Sequence, residues 1–459
     1  MIRYRFSSLL PLLLFGILMV FFFNSCVKED GCTNVTALNY DPAADQDDGS
    51  CLYSLAIPMI YEFERGSSEG VIFEGGIGNT VFYEVASIRH LLINDLDIII
   101  EGLGNSEAVS IEVNELLDYY NTKGLQNSIL TPINGFLPLQ NTFVEISTST
   151  NLADNINNDF GAADSVVNWL NTIAVNSQDL SKLGTNAVFT QKDGLDLKEL
   201  LNKTLLGSVL YNNAVKQIAA SINSSSSELV GNTNYTAREH AWDLVMGYFG
   251  AARNYSLCSD AELASSSFDG KEIADEEGNV DGFLDWTSEY SFAFSKMAAE
   301  RDLSVPDRNF TAQIFSLLLE GRTAITNKNK VESDLTFEVA ADSLESVLEQ
   351  LVAANLVHYV NVTLQEMDKL GTANQNIIAL SREWSAMLGF AQMLWYRNTS
   401  GDPPLTSETL QTILTSIGDA PNYAIAGSGE QAAYVSDLEQ VKSLLQSVYG
   451  FSAIEVENW

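Results

Sequence analysis

The sequence predicts an all-α fold, a double helical bundle fronted by a small N-terminal β-hairpin. Three observations carry this expectation. From Thr80 almost to the end, apolar residues recur at steps of three and four, which places them on one face of a helix. Strand-like runs are confined to one short stretch near residue 60. Nine prolines in 459 residues leave long segments free to stay helical.

The first 25 residues read as a targeting segment. Arg3 and Arg5 form a positive start, and Leu9 to Phe23 is an apolar core. Asn24-Ser25-Cys26 closes it and resembles a bacterial lipoprotein cleavage site in the loose form used by Bacteroidetes, with Cys26 as the lipidated residue. An ordinary signal peptide and an uncleaved anchor are the alternatives. Lys28-Glu29-Asp30 follows and resembles the surface-export signal of Bacteroidetes lipoproteins. The expected address is the outer membrane, facing outward, with the lipid as the membrane partner. No second apolar run is long enough to span a bilayer.

Residues 26–56 form an acidic spacer module. Cys32 and Cys51 bound a segment rich in Asp, Asn and Gly, and a disulfide between them is the default in an oxidising compartment. A segment this short cannot build its own core. It resembles a cysteine-bounded module of extracellular marine Bacteroidetes proteins. Cys258 is left over as a free thiol.

Residues 57–459 are then expected to be an all-helical domain of two packed bundles. Ile60–Phe63 and Val71–Phe73, separated by Gly66–Gly70, predict the hairpin. Helices follow at about 81–99, 109–120, 162–173, 196–222, 238–255, 286–301, 310–326, 342–370, 377–396, 406–417 and 436–449. Two of them share a pattern. Trp242, Gly247 and Tyr248 match Trp384, Gly389 and Phe390 in spacing, which suggests duplication or coincidence. A glycine inside a helix costs about 1 kcal/mol against alanine, so it marks a close approach.

The charge is lopsided, with 24 Lys+Arg against 60 Asp+Glu and a net charge of −36. Such a surface repels nucleic acid and anionic lipid. Phosphate-loop, serine-hydrolase, zinc-protease and paired-cysteine signatures are absent.

Two stretches could carry chemistry. Glu239, His240 and Asp243 lie in the 238–255 helix. His240 and Asp243, at i and i+3, share a face and could hold a transition metal such as iron or zinc, or a ligand. The alternative is a structural helix turn with His240 bonded to Asp243. The second stretch runs from Glu277 through Asn279 and Asp281 to Asp285. It approaches the calcium-loop pattern, with oxygens at alternate positions and Gly282 at the turn. A solvated acidic loop is its alternative. His90 and His358 sit in apolar helices and read as core or surface residues.

Glu62-Phe63, Lys203–Gly207, Glu239–Asp243 with Gly247–Gly250, Arg301-Asp302 and Trp384 with Gly389-Phe390 resemble an uncharacterised Bacteroidetes lipoprotein family, domain of unknown function 4856. The resemblance covers roughly 57–455. More remotely it is similar to the imelysin-like proteins, two-bundle helical proteins of the cell envelope. These carry a His-x-x-Glu pair; here Asp243 stands in the place of the glutamate. The resemblance implies a fold and an address, not a reaction. The expected function is that of a surface lipoprotein that binds or takes up a metal or a metal-bearing ligand, with a small ligand or a surface protein as partner. A metallopeptidase using His240 and Asp243, and a structural or adhesion module, are the other readings. Arg382 and Ser385 occupy the corresponding places in the second Trp helix, which argues against a second ligand set.

Overall fold

Residues 351–360 are apolar except for Asn355 and His358, and a helix segment that is apolar all round must be enclosed by others. In the computed structural model they lie within the longest helix, Val331–Met367. The structure describes residues 30–33, 40–48, 56–65, 78–158, 160–225, 228–274, 278–327 and 331–459. The leader, Cys26, Lys28, Glu29, Cys51, Val71–Phe73 and Glu277 lie outside these residues. Cys32 is described and buried.

We number the helices of nine residues or more. They are α1 Glu84–Gly102, α2 Val113–Asn121, α3 Ala162–Ser177, α4 Leu197–Leu205, α5 Asn212–Asn223, α6 Ala237–Phe249, α7 Ala293–Ser304, α8 Phe310–Thr326, α9 Val331–Met367, α10 Ile377–Met393, α11 Ser407–Ile417 and α12 Gly429–Tyr449. The fold is all-α. The described strands are two residues long, and Glu64–Arg65 pairs antiparallel with Gly78–Asn79 near the start of the domain. Among the described residues no helix is long and apolar enough to cross a membrane.

The helices fall into two groups. In the first, α5 packs on α6, α1 on α6 and α4, and α3 on α2 and α4; in the second, α9 packs on α8, α10 and α12. The groups meet where α8 crosses α6 and where α10 lies along α4. One apolar cluster runs through both, from Tyr61 to Trp459.

Three departures from the sequence pattern have local causes. The expected helix 286–301 begins only at Ala293, because the preceding backbone bonds outward. Ser288 O accepts from Arg253 N, Ser291 N donates to Asp269 O, and Phe292 N donates to Gly250 O. The second expected helix starts at Val113 rather than 109, since Glu112 and Glu115 form a capping box there. The expected helix 196–222 is split by a π-helical turn at Leu206–Tyr211, where Asn212 N donates to Gly207 O, five residues back.

The two Trp-Gly helices, α6 and α10, behave alike in one respect. A Cβ on Gly247 would sit 2.7 Å from Tyr83 Cβ, and one on Gly389 would sit 2.4 Å from Lys203 Cβ. Each glycine therefore admits a neighbouring segment. The tryptophans do other work. Trp242 lies over Gly321 of α8 and donates to Leu318 O, and Trp384 donates to Tyr434 Oη.

Candidate functional site

α6 starts with a reciprocal cap. Thr236 Oγ1 accepts from Glu239 N, and Glu239 Oε2 accepts from Thr236 N. This fixes the first turn and sets Glu239 and Asp243 toward α8. There they meet Arg322, whose side chain is fully buried. Arg322 Nε donates to Asp243 Oδ1 at 2.8 Å, and Nη1 donates to Glu239 Oε1 at 3.3 Å and Thr326 Oγ1 at 2.6 Å. Nη2 donates to Thr80 Oγ1 at 2.8 Å and to Thr80 O at 3.3 Å. These contacts match the five N–H donors of a guanidinium. The ring of Phe63 lies against the guanidinium carbon, 4.8 Å from its centroid.

Asp243 is equally engaged. Beside Arg322 it accepts from Tyr61 Oη at 3.0 Å and from Phe82 N at 3.3 Å. Burial raises its carboxyl to about 6 against the pull of Arg322. His240 faces the same residue, Phe82. Its Nδ1 contacts Phe82 O at 3.1 Å, which places the ring proton on Nδ1, and the ring stacks on Tyr235. Burial lowers its pKa. His240 and Asp243 do share a helix face, as their spacing implies. Together they hold the two backbone sides of Phe82 instead of bonding each other or converging with Glu239 on a common point. Among the described residues no three of His, Cys, Asp and Glu are grouped so as to hold a metal ion.

The acidic loop is also internally bonded where it is described. Asp281 Oδ1 accepts from Phe283 N. Asp285 Oδ1 accepts from Gln140 Nε2 and from Thr287 N, each at 2.9 Å, and Oδ2 accepts from Ser288 Oγ at 2.8 Å. Glu289 accepts from Ile273 N and Asp285 N. Asp285 thereby caps the turn that carries Trp286, whose Nε1 donates to Gln140 O. Asn279 is described, and its expected companion Glu277 is not.

A third place was not anticipated from the sequence. The π turn between α4 and α5 offers carbonyls that a regular helix would spend internally. Ser208 O accepts from Asn157 N at 3.2 Å and from Asn212 Nδ2 at 3.2 Å. Val209 O accepts from Asn213 Nδ2, which also donates to Asn155 O. Asn157 Nδ2 donates to Asn212 Oδ1. The 155–158 loop is thus stitched to the π turn. Gly161, at φ 72°, then swings the chain into α3. The result is Phe160 laid flat on Trp395, with centroids 4.3 Å apart and planes 16° apart, and edge-on to Tyr396. Phe160 remains 49% exposed.

Two hollows share these three rings. The smaller is lined by Lys203, Gly207 and Gly389. The larger, about 450 Å³, is lined by Asn212, Lys216, Glu345, Arg397 and Asn398. Its polar wall is ordered. Asn398 Nδ2 donates to Glu345 Oε2 at 2.8 Å, and Arg397 donates to Leu405 O and Leu394 O. Sequence signals for it existed: the pair Asn212-Asn213 inside an expected helix, Phe160 beside Gly161, and the run Trp395–Asn398 before a proline turn.

A family model described as Domain of unknown function (DUF4856) matches residues 58–423. No curated protein and no solved structure matches the chain.

Proposed function

The chain belongs to the DUF4856 family, a domain of unknown function, and we propose that it is a lipid-anchored, surface-exposed binding protein of the cell envelope whose ligand enters the groove beside Phe160 and Trp395. The observation that carries the binding reading is that groove. It is open, aromatic and polar, and its shape is fixed by the π turn. The Glu239–His240–Asp243 group, in contrast, is spent on Arg322 and Phe82.

The address rests on the leader, on Cys26 and on Lys28-Glu29-Asp30. Cys32 and Cys51 would staple the spacer between the lipid and the domain. The all-helical architecture and the His240-x-x-Asp243 spacing support a distant kinship with imelysin-like proteins. The peptidase and metal-uptake forms of the reading have less support, because a carboxylate that neutralises a buried arginine is not free to bind a metal or to act as a base. Calcium at Asn279 and Asp281 would have to be completed by Glu277, since Asp285 already takes the turn's donors.

Fractionation tests the anchor. Cys26→Ser should move the chain from the membrane pellet to the soluble fraction, while wild type on intact cells is cut by added protease. Retention of Cys26→Ser in the pellet would defeat the lipid-anchor reading. Metal analysis of purified wild type and His240→Ala, read side by side, should give the same content.

A further inference from the structure

We propose that the groove at Phe160, Trp395 and Tyr396 is a carbohydrate site that takes a neutral oligosaccharide. The inference rests on the reading of this groove as the ligand mouth and names its occupant. Three features of the groove select sugar chemistry.

The first is the platform. Phe160 lies parallel on Trp395 and keeps its outer face in solvent. An aromatic face is the negative side of a quadrupole. A pyranose ring offers a flat patch of C–H groups of slightly positive character, which matches that face. A half-exposed phenylalanine held flat by hydrogen-bonded backbone on both sides has no need of a core to explain its geometry.

The second is the character of the wall. Asn398, Thr399 and Ser400 line the larger hollow, and Thr399 and Ser400 are exposed. Amides and hydroxyls both donate and accept, as sugar hydroxyls do. Lys216 at the rim is exposed and Glu345 is half-buried, so one donor-only and one acceptor-only group face the same space. An acyl chain or an apolar peptide would leave these groups without water or partners.

The third is charge. A phosphate or sulfate ligand would need a surplus of positive charge. The Arg397 guanidinium is spent on Leu394 O and Leu405 O, Glu345 adds a negative charge, and the whole chain carries −36. Polyanions are therefore repelled before they reach the groove. The site is also preorganised, since the Asn157–Ser208 and Asn157–Asn212 bonds hold the loop under Phe160 in place, so little ordering remains to be done on binding.

The experiment is affinity electrophoresis of the full chain, purified in detergent, through gels containing neutral polysaccharides (glucans, xylans, mannans and galactans) or acidic ones. Titration calorimetry with oligosaccharides of the retarding polymer follows. We expect retardation by at least one neutral polymer and by none of the acidic ones. Phe160→Ala and Trp395→Ala should each weaken binding roughly tenfold or more, the effect of one lost ring contact. Trp395→Phe, which keeps a ring, should retain most of it. Phe160→Ala removes an exposed ring, so an unchanged melting transition shows that its effect is local. Failure of every neutral polymer to retard the chain overturns the sugar assignment. If a random peptide mixture then binds wild type but not Phe160→Ala, the groove is still a ligand mouth and only its occupant is wrong. Retardation that survives both Phe160→Ala and Trp395→Ala overturns the groove reading itself.

Discussion

Removing the Arg322 guanidinium would strand two carboxylates in a place without water. Glu239 is nearly buried and Asp243 fully so. Breaking such a pair from one side costs about 3–5 kcal/mol. Arg322→Met should therefore lower unfolding stability by about that much in urea titrations, and the double substitution Arg322→Met, Asp243→Asn should recover part of the loss. His90 supplies a second test. It is 1% exposed, its Nε2 meets Gly247 O at 3.1 Å, and it stacks on Phe292. Burial pushes its pKa from the ordinary 6.5 down to about 4. As pH falls below 6.5 the unfolded chain takes up a proton there and the folded chain does not. The stability His90 contributes above pH 6.5 is thus lost between 6.5 and about 4, by roughly 3 kcal/mol. His90→Phe, compared with wild type at pH 7.5 and 4.5, should show a shallower acid loss by a similar amount. An identical slope in both proteins would remove His90 as its cause.

At the scale of an element, the π turn fixes the groove. An i→i+5 bond accommodates one residue more than an α-helix needs, so the flanking helices keep their faces while the turn between them bulges. Deleting Ser208 should let α4 run into α5 as regular helix. The two apolar faces would survive, and with them a cooperative melting transition. The carbonyl that holds Asn157 would be withdrawn, and limited proteolysis should then cut first within 153–161. A cleavage pattern like that of wild type would mean that the loop holds itself. Helix α6 makes the converse point. Its cap, Thr236-x-x-Glu239, is a sequence signature of a helix start, and Glu239 does cap. What the signature does not carry is the second use of the same carboxylate, on Arg322.

At the scale of the molecule, periodicity made the helices readable, and α8 begins and ends where the apolar spacing does. Periodicity reports a helix's own faces, so it could say nothing of where backbone bonds to neighbours would delay a helix, as before Ala293, or of a bulge that preserves both faces, as at Leu206–Tyr211. The short last helix, Ala453–Asn458, has too few residues for periodicity, though Ser452 and Glu455 form a readable cap. The candidate residues Glu239, His240 and Asp243 were legible as a shared face because i, i+3 geometry is local. Their partner Arg322 was not, because that pairing spans distant sequence and its only local mark is a single cation in an apolar helix. The aromatic groove was hidden for the same reason, as Phe160 and Trp395 meet only once α4 and α10 are side by side.

The packing of α10 along α4 has a meaning in time as well as in space. The chain is made from its N-terminus, and α4 and the helices before it leave the ribosome, and any export channel, long before α10 exists. Pairs close in sequence, such as α5 with α6 and α8 with α9, can dock as they appear, because short loops close at little entropic cost. The face at the end of α4 and in the π turn that receives Gly389 and Met393, at Lys203 and Gly207, must wait uncovered. The first half of this protein is thus an unfinished surface until the second arrives, and synthesis interrupted between α9 and α10 would release a chain suited to chaperones and aggregation rather than to binding.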